Sequence, residues 1–192
     1  DLDSTLDALI NEEQIVAIFQ NHSEWGPRAL GNRSIMFDPR HPNAKNIVNA
    51  VKKREYYRPF ACTVMLEHAN DYFEMLQLPE SPWMSFAIQC KPKALKDIPT
   101  LVHADNTCRI QTVTEEQNKN YYNLIKGFYE RTGVPIIFNT SFNLGGEAIC
   151  ETIYDAIDTC NRSMINHLYV PEDQEIDIPY ECIRDKTEYI PD

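Results

Sequence analysis

The 192-residue chain has six cysteines and no C-x-x-C pair, five histidines and no H-E-x-x-H pattern, and no apolar run long enough to cross a bilayer. The first two absences remove zinc-cluster and dithiol chemistry; the third removes a membrane span and a secretory signal. Cys62, Cys90, Cys108, Cys150, Cys160 and Cys182 then read as free, mostly buried thiols of a reducing, cytoplasmic setting. Glycine is scarce, six against twelve prolines, so many connections are predicted to be short. Positive charge is also scarce. Eighteen lysines and arginines face 29 acids, for a net charge of −11, which argues against a general nucleic-acid or membrane binder. The lysine of a G-x-x-x-x-G-K-[ST] phosphate loop is missing. Asp1 stands where a methionine would begin a nascent chain, so the sequence reads as a processed product or a piece of something longer.

What is present is enough for one sizeable domain. Helices are predicted over Leu2 to Glu13, Asn43 to Arg54, Thr114 to Arg131 and Thr152 to Arg162. Thr114 with Gln117, and Thr152 with Asp155, have capping-box spacing. Strands are predicted at Gln14–Phe19, Ser34–Phe37, Ala61–Leu66, Arg109–Val113 and Val134–Phe138, with Ser85–Ile88 and Thr100–His103 in a middle that is harder to read. Asn139–Asn143 is expected to be a loop after the most apolar strand. Strands alternating with helices predict a single α/β domain with a mixed sheet. Residues 172–192 carry eight acids and two bases and read as an acidic C-terminal extension to a domain of residues 1–171.

The scarce positive charge is concentrated. Eight of the 18 basic residues fall between Arg28 and Arg58, against only Asp38 and Glu55. A cationic segment in an acidic protein focuses field onto small anions. Arg28 follows Gly26-Pro27 and Arg33 follows Gly31-Asn32, so both sit in constrained turns. Arg58 precedes Pro59, which biases it to extended backbone. Arginine grips phosphate with a planar fork, and Lys52 adds a compact charge. Arg109 opens a strand, while Asn139, Ser141 and Asn143 place amides and a hydroxyl at the end of another, where α/β sheets bind ligands.

Four stretches occur in the order of a known family: W25-G-P-R-A-L-G-N-R-S-I-M-F-D-P-R40, V51-K-K-R-E-Y-Y-R-P-F-A61, V102-H-A-D-N-T-C-R-I-Q-T-V113 and G133-V-P-I-I-F-N-T-S-F-N-L-G-G-E147. Over roughly residues 5 to 170 the chain resembles the C-terminal domain of the O-carbamoyltransferases of nodulation-factor and antibiotic tailoring. The resemblance implies a YrdC-like fold of α+β type, with a mostly exposed sheet lining a cleft. It implies formation of carbamoyl-adenylate from carbamoyl phosphate and ATP, with magnesium carried by the ATP and no metal held by this domain. An N-terminal actin-like, metal-bearing domain, absent here, would pass the carbamoyl group to a hydroxyl of a small acceptor. Carried over, Arg28, Lys52, Arg58 and Arg109 hold phosphate oxygens, Asn139 and Ser141 contact carbamoyl phosphate or adenylate, and Arg33, Arg54 and Asn143 face the nucleotide. Departures are Gly145 and Ala148, where a basic residue and a proline are usual, Lys53 for a histidine, and Asn166 for an aspartate. Two alternatives stay open: a non-catalytic nucleotide or anion sensor, and an RNA-binding YrdC-type module, which the net charge disfavours.

Overall fold

In a computed structural model the described residues are 1–172; the predicted acidic extension lies outside them, apart from Glu172. Helix α1 (Leu2–Ile10) starts where the Asp1 carboxylate accepts the Ser4 N–H at 2.8 Å. Then come β1 (Val16–Phe19), β2 (Arg33–Phe37), α2 (Ala44–Val51), β3 (Ala61–Met65) and the short α3 (Ala69–Tyr72). They are followed by β4 (Ala87–Gln89), α4 (Pro92–Asp97), β5 (Thr107–Val113), α5 (Lys119–Thr132), β6 (Ile136–Ser141), α6 (Ile153–Asn161) and β7 (His167–Tyr169).

The strands form one mixed sheet in the order β4-β5-β3-β6-β2-β1-β7. The β1–β7 and β3–β5 pairs are parallel and the other neighbours antiparallel. The predicted exposed sheet is a correction: β1, β2 and β3 are buried at every position. One face carries Thr63, whose hydroxyl accepts from Tyr121 of α5 at 3.0 Å. The opposite face carries Arg33, which meets the segment entering α6. With both faces covered, apolar residues fill both sides of each central strand, as burial demands.

Local chemistry sets the element ends. Gly133, at φ +75°, closes α5 with its N–H on Tyr129 O, and Thr152 with Asp155 makes a full capping box on α6. The predicted box at Thr114 and Gln117 forms, but it closes a turn. Asn118, with extended φ −157°, interrupts the chain there and caps the true start of α5 by accepting from Tyr121 N–H. The predicted strand at Thr100–His103 is instead a short 3₁₀ turn at Pro99–Leu101, begun by a proline whose fixed φ suits a first helical turn. The Ser85–Ile88 strand is shifted to Ala87–Gln89, the residues that find a partner in β5. Helix α2 stops short of Arg54, because Lys53 takes φ +51° and leaves the helical path.

The largest correction positions the site. Asn139–Ser141 is not loop but the end of β6, paired to β2 through Met36↔Asn139 and Ser34↔Ser141. Register then aligns Arg109, Ala61 and Asn139 in one row across β5, β3 and β6. Residues directly opposite one another point to the same face, so the Arg109 and Asn139 side chains share it.

Gly31, in the turn before β2, has φ +111°, and a Cβ there would come within 2.2 Å of the Tyr121 ring. Gly31→Ala is therefore expected to destabilise the fold by roughly 2–4 kcal/mol through overpacking and backbone strain. Urea denaturation would read this as a lowered midpoint at unchanged slope.

Candidate anion-binding site

The turn from Glu24 to Arg33 lies over the Arg109–Ala61–Asn139 row and is held by side chains from below. Asn139 Nδ2 donates to Ala29 O at 3.2 Å, Gln111 Nε2 to Leu30 O at 2.8 Å and Gln20 Nε2 to Gly31 O at 2.8 Å. From within, one oxygen of Glu24 accepts the N–H groups of Leu30, Asn32 and Arg33 at 2.7, 2.8 and 3.3 Å. Sequence reasoning assigned Glu24 and Gln111 nothing. Gln111 gave no signal, since it falls on the polar side of the alternating strand with Arg109, the side expected to face solvent.

So fixed, the turn presents Arg28 toward Arg109 at a small cavity of about 100 Å³, which Arg54, His103, Asn139 and Ser141 also border. Burial first, then repulsion from Arg28, pulls the Arg109 pKa below the usual guanidinium value. Among the described residues neither Arg28 nor Arg109 has a hydrogen-bonded or ion-paired side-chain partner. Like charges converging without a counter-charge call for an anion. Asn139, 1% exposed, also leaves Oδ1 buried without a partner, although Nδ2 reaches Ala29 O, Thr63 Oγ1 and Gln111 Oε1. His103, another residue without a predicted role, is tied through its ring nitrogens to Phe60 O and Thr107 Oγ1, both at 3.2 Å.

A second cavity, about 630 Å³, adjoins the first and is bordered by Lys52, Arg54, Arg58, Ser141, Asn143 and Gly145. Lys52 is 3% exposed. Its Nζ donates to Ser141 O at 2.5 Å, Asn143 Oδ1 at 2.9 Å and Ser141 Oγ at 3.2 Å. These three acceptors match the three hydrogens of an ammonium. Burial, followed by the Arg54 charge, pulls its pKa down to about 7, with Cys150 opposing. Lys52 thus organises the end of β6 and the loop after it. Gly145 N–H closes that loop on Lys52 O at 2.7 Å, and a Cβ at 145 would lie 2.9 Å from the same oxygen. Arg58 stands at the rim, about half exposed, with Nε 2.7 Å from Glu55 Oε2.

Arg33 is not in this site. It is 2% exposed and spends its donors on five carbonyls: Gln20, Asn21, Asn32, Cys150 and Glu151. Its carbon Cζ lies 3.6 Å above the Phe19 ring. The predicted nucleotide contact is corrected to a brace, because no N–H is left for a ligand. The other predicted residues border the two cavities. Among the described residues no group of three or more His, Cys, Asp or Glu side chains could hold a metal ion, and no helix is long and apolar enough to cross a membrane.

Comparison with known proteins places this geometry. The chain is 43% identical over 166 residues to nodulation protein NolNO of Sinorhizobium fredii, covering 84% of this chain and 24% of the relative. It is 43% identical over 161 residues to nodulation protein NolO of Bradyrhizobium diazoefficiens, covering 81% and 29%. Nodulation protein U of Rhizobium tropici is 33% identical over 164 residues, covering 85% and 28%. The chain therefore spans about a quarter of the length of these curated relatives. Among solved structures, full-length HypF in its phosphate- and nucleotide-bound form superposes with a TM-score of 0.61 at 19% identity, over 92% of this chain and 26% of that one. HypF of T. kodakarensis superposes at 0.54 with 15% identity, over 88% and 22%. These likenesses establish a shared YrdC-like fold. The family model for the carbamoyltransferase C-terminus matches residues 7–174, and the chain belongs to that family.

Proposed function

We propose that residues 1–171 form the activating domain of an O-carbamoyltransferase, making carbamoyl-adenylate from carbamoyl phosphate and ATP. The observation that carries this reading is the small cavity, where Arg28 and Arg109 face each other beside the unpartnered Oδ1 of Asn139. Two guanidinium groups suit a phosphate, and an orphan acceptor suits the amide hydrogens of a carbamoyl group. A bare phosphate would leave Oδ1 unsatisfied, at a cost of about 1–3 kcal/mol for a buried polar group.

The reaction balances in two steps. Water cleaves carbamoyl phosphate to carbamate and phosphate. A carbamate oxygen then bonds to the α-phosphorus of ATP, the bond to the β-phosphate oxygen breaks, and pyrophosphate leaves. Magnesium comes with the ATP and screens its phosphates. The chain's part is to place the reactants and supply fixed positive charge: Arg28 and Arg109 on the smaller anion, Arg58 on the phosphate chain, and Lys52 by shaping the Ser141–Asn143 wall. Transfer to the hydroxyl of a small acceptor would need the further domain that the longer relatives leave room for. A cytoplasmic setting suits these substrates.

The rival reading is an anion sensor without catalysis. It is favoured by Lys52 having all three donors engaged within the protein, and by glycine rather than a base at 145. Pyrophosphate release from ATP that depends on carbamoyl phosphate separates the two, since the sensor would bind ATP and release none. Arg109→Ala is expected to lower that rate by about 10²–10³-fold, comparable to losing one preorganised donor in a transition-state site. Its melting temperature should stay near that of the parent, because Arg109 makes no bond that holds the fold.

Lys52 sets a dependence on pH with two opposite signs. Its charge is lost as pH rises through about 7, so anion affinity is expected to decline above neutrality. Stability should move the other way. The folded pKa lies below the ordinary 10.5, so the burial penalty is full below about 7 and fades between 7 and 10.5 as the folded form sheds its proton. Titrating sulfate, whose charge is constant over that window, and recording melting curves checks both signs, and Lys52→Met should flatten both profiles.

A further inference from the structure

The turn from Glu24 to Arg33 also borders a further cavity, of about 310 Å³, that shares no lining residue with the anion cleft. Its charge has the opposite sign. Glu24 and Glu80 border it, and no lysine, arginine or histidine does among the described residues. Neither carboxylate is ion-paired among those residues. Oε1 of Glu24 accepts the turn's N–H groups, while its Oε2 is buried with no partner. Arg33 acts on Glu24 through space, but its own N–H groups go to carbonyls. Oε2 of Glu80 accepts from Gln117 Nε2 at 2.9 Å, which leaves its Oε1 open. The walls are fixed. Ser81 N–H donates to Thr112 Oγ1 at 2.8 Å and Thr112 N–H to Ser81 O at 2.9 Å, clipping the segment from Glu80 to Trp83 onto β5. Asn118 Nδ2 donates to Asn32 Oδ1 at 3.0 Å and ties the start of α5 to the turn. Trp83 borders the cavity yet is 68% exposed, so much of its ring is open.

We propose that this cavity binds a small organic cation, an alkylguanidinium or alkylammonium group, held by Glu24 and Glu80 with Trp83 as its aromatic wall. A buried acceptor without a donor is costly, and a charged donor satisfies it most strongly. The amides around the cavity point to the same class of ligand. The side-chain nitrogens of Asn32, Gln111, Gln117 and Asn118 each already donate within the protein. A neutral polyol would bring acceptors that meet few donors there, whereas an organic cation brings donors alone. The open Trp83 ring adds a face that attracts a cation and covers its alkyl stem. The inference goes beyond the proposed function and stands without it, because the two sites have no lining residue in common.

The test is calorimetric titration of the 192-residue chain with agmatine, and in parallel with a terminally blocked Gly-Arg-Gly peptide and with glucose. Agmatine is expected to bind at a single site. Glu24→Gln keeps an acceptor for the turn and removes the charge, and Glu80→Gln removes the second charge. Each should weaken agmatine by roughly tenfold or more, the worth of a hydrogen bond to a charged group. Trp83→Ala should weaken it by about two- to fivefold. Glu130→Gln, at an exposed position of α5, should change nothing, which separates a site from the general pull of an acidic protein. Arg109→Gln should likewise leave agmatine binding unchanged. Agmatine bound more tightly than the peptide assigns the cation to a free small molecule; the reverse assigns it to a basic side chain of another chain or domain, and either upholds the site. Should Glu24→Gln melt early, Glu80→Gln and Trp83→Ala decide. Absence of agmatine binding, binding that neither of those two variants moves, or glucose bound as tightly as agmatine would overturn the proposal. Loss of carbamoyl-phosphate-dependent pyrophosphate release with agmatine binding intact would count against the proposed function and leave this site standing.

Discussion

The site depends on how the buried guanidinium of Arg33 is neutralised. Burying a charge is costly unless its donors are met, and here carbonyls of three separate segments meet them. Gln20 and Asn21 follow β1, Asn32 ends the glycine-containing turn, and Cys150 and Glu151 lead into α6. One side chain thus fixes where the turn leaves the sheet and where the α6 connection crosses it. With that anchor set, Glu24 can gather the turn's N–H groups, and Arg28 stands over the strand that carries Arg109.

Beneath the turn, polar side chains replace apolar packing at one patch of the sheet. Asn139, Thr63, Gln111 and Tyr121 bond to one another while all are nearly inaccessible. Such a network tolerates little rearrangement, since each broken bond strands a buried group. It keeps the floor of the small cavity rigid while the cationic wall above it stays solvated. Preorganisation of this kind is what charge stabilisation in phosphate chemistry requires.

Much of this was legible in the chain. Periodicity and capping residues located the central strands and four of the helices, because those signals report burial and unpaired backbone groups directly. The concentration of base between Arg28 and Arg58 marked the cleft before any fold was considered. What stayed hidden depended on partners distant in sequence. Asn139–Ser141 reads as loop until β2 is known to lie beside it. Arg33 and Arg28 look alike in sequence, each after a glycine; only the side of β2 on which Arg33 falls turns it inward. The short α3 and α4 carry too few residues to show a helical period.

The way Arg33 is satisfied also bears on endurance. Amide carbonyls neither gain nor lose a proton in ordinary solvents, and a buried guanidinium meets little dissolved electrolyte. The clasp at the root of the turn therefore answers only weakly to acid and salt, through the charges of Glu24 and Glu151 beside it. A brace built from an exposed carboxylate and an amine would loosen far more in either. The chemistry above it can respond to its medium because the joint below it responds so little.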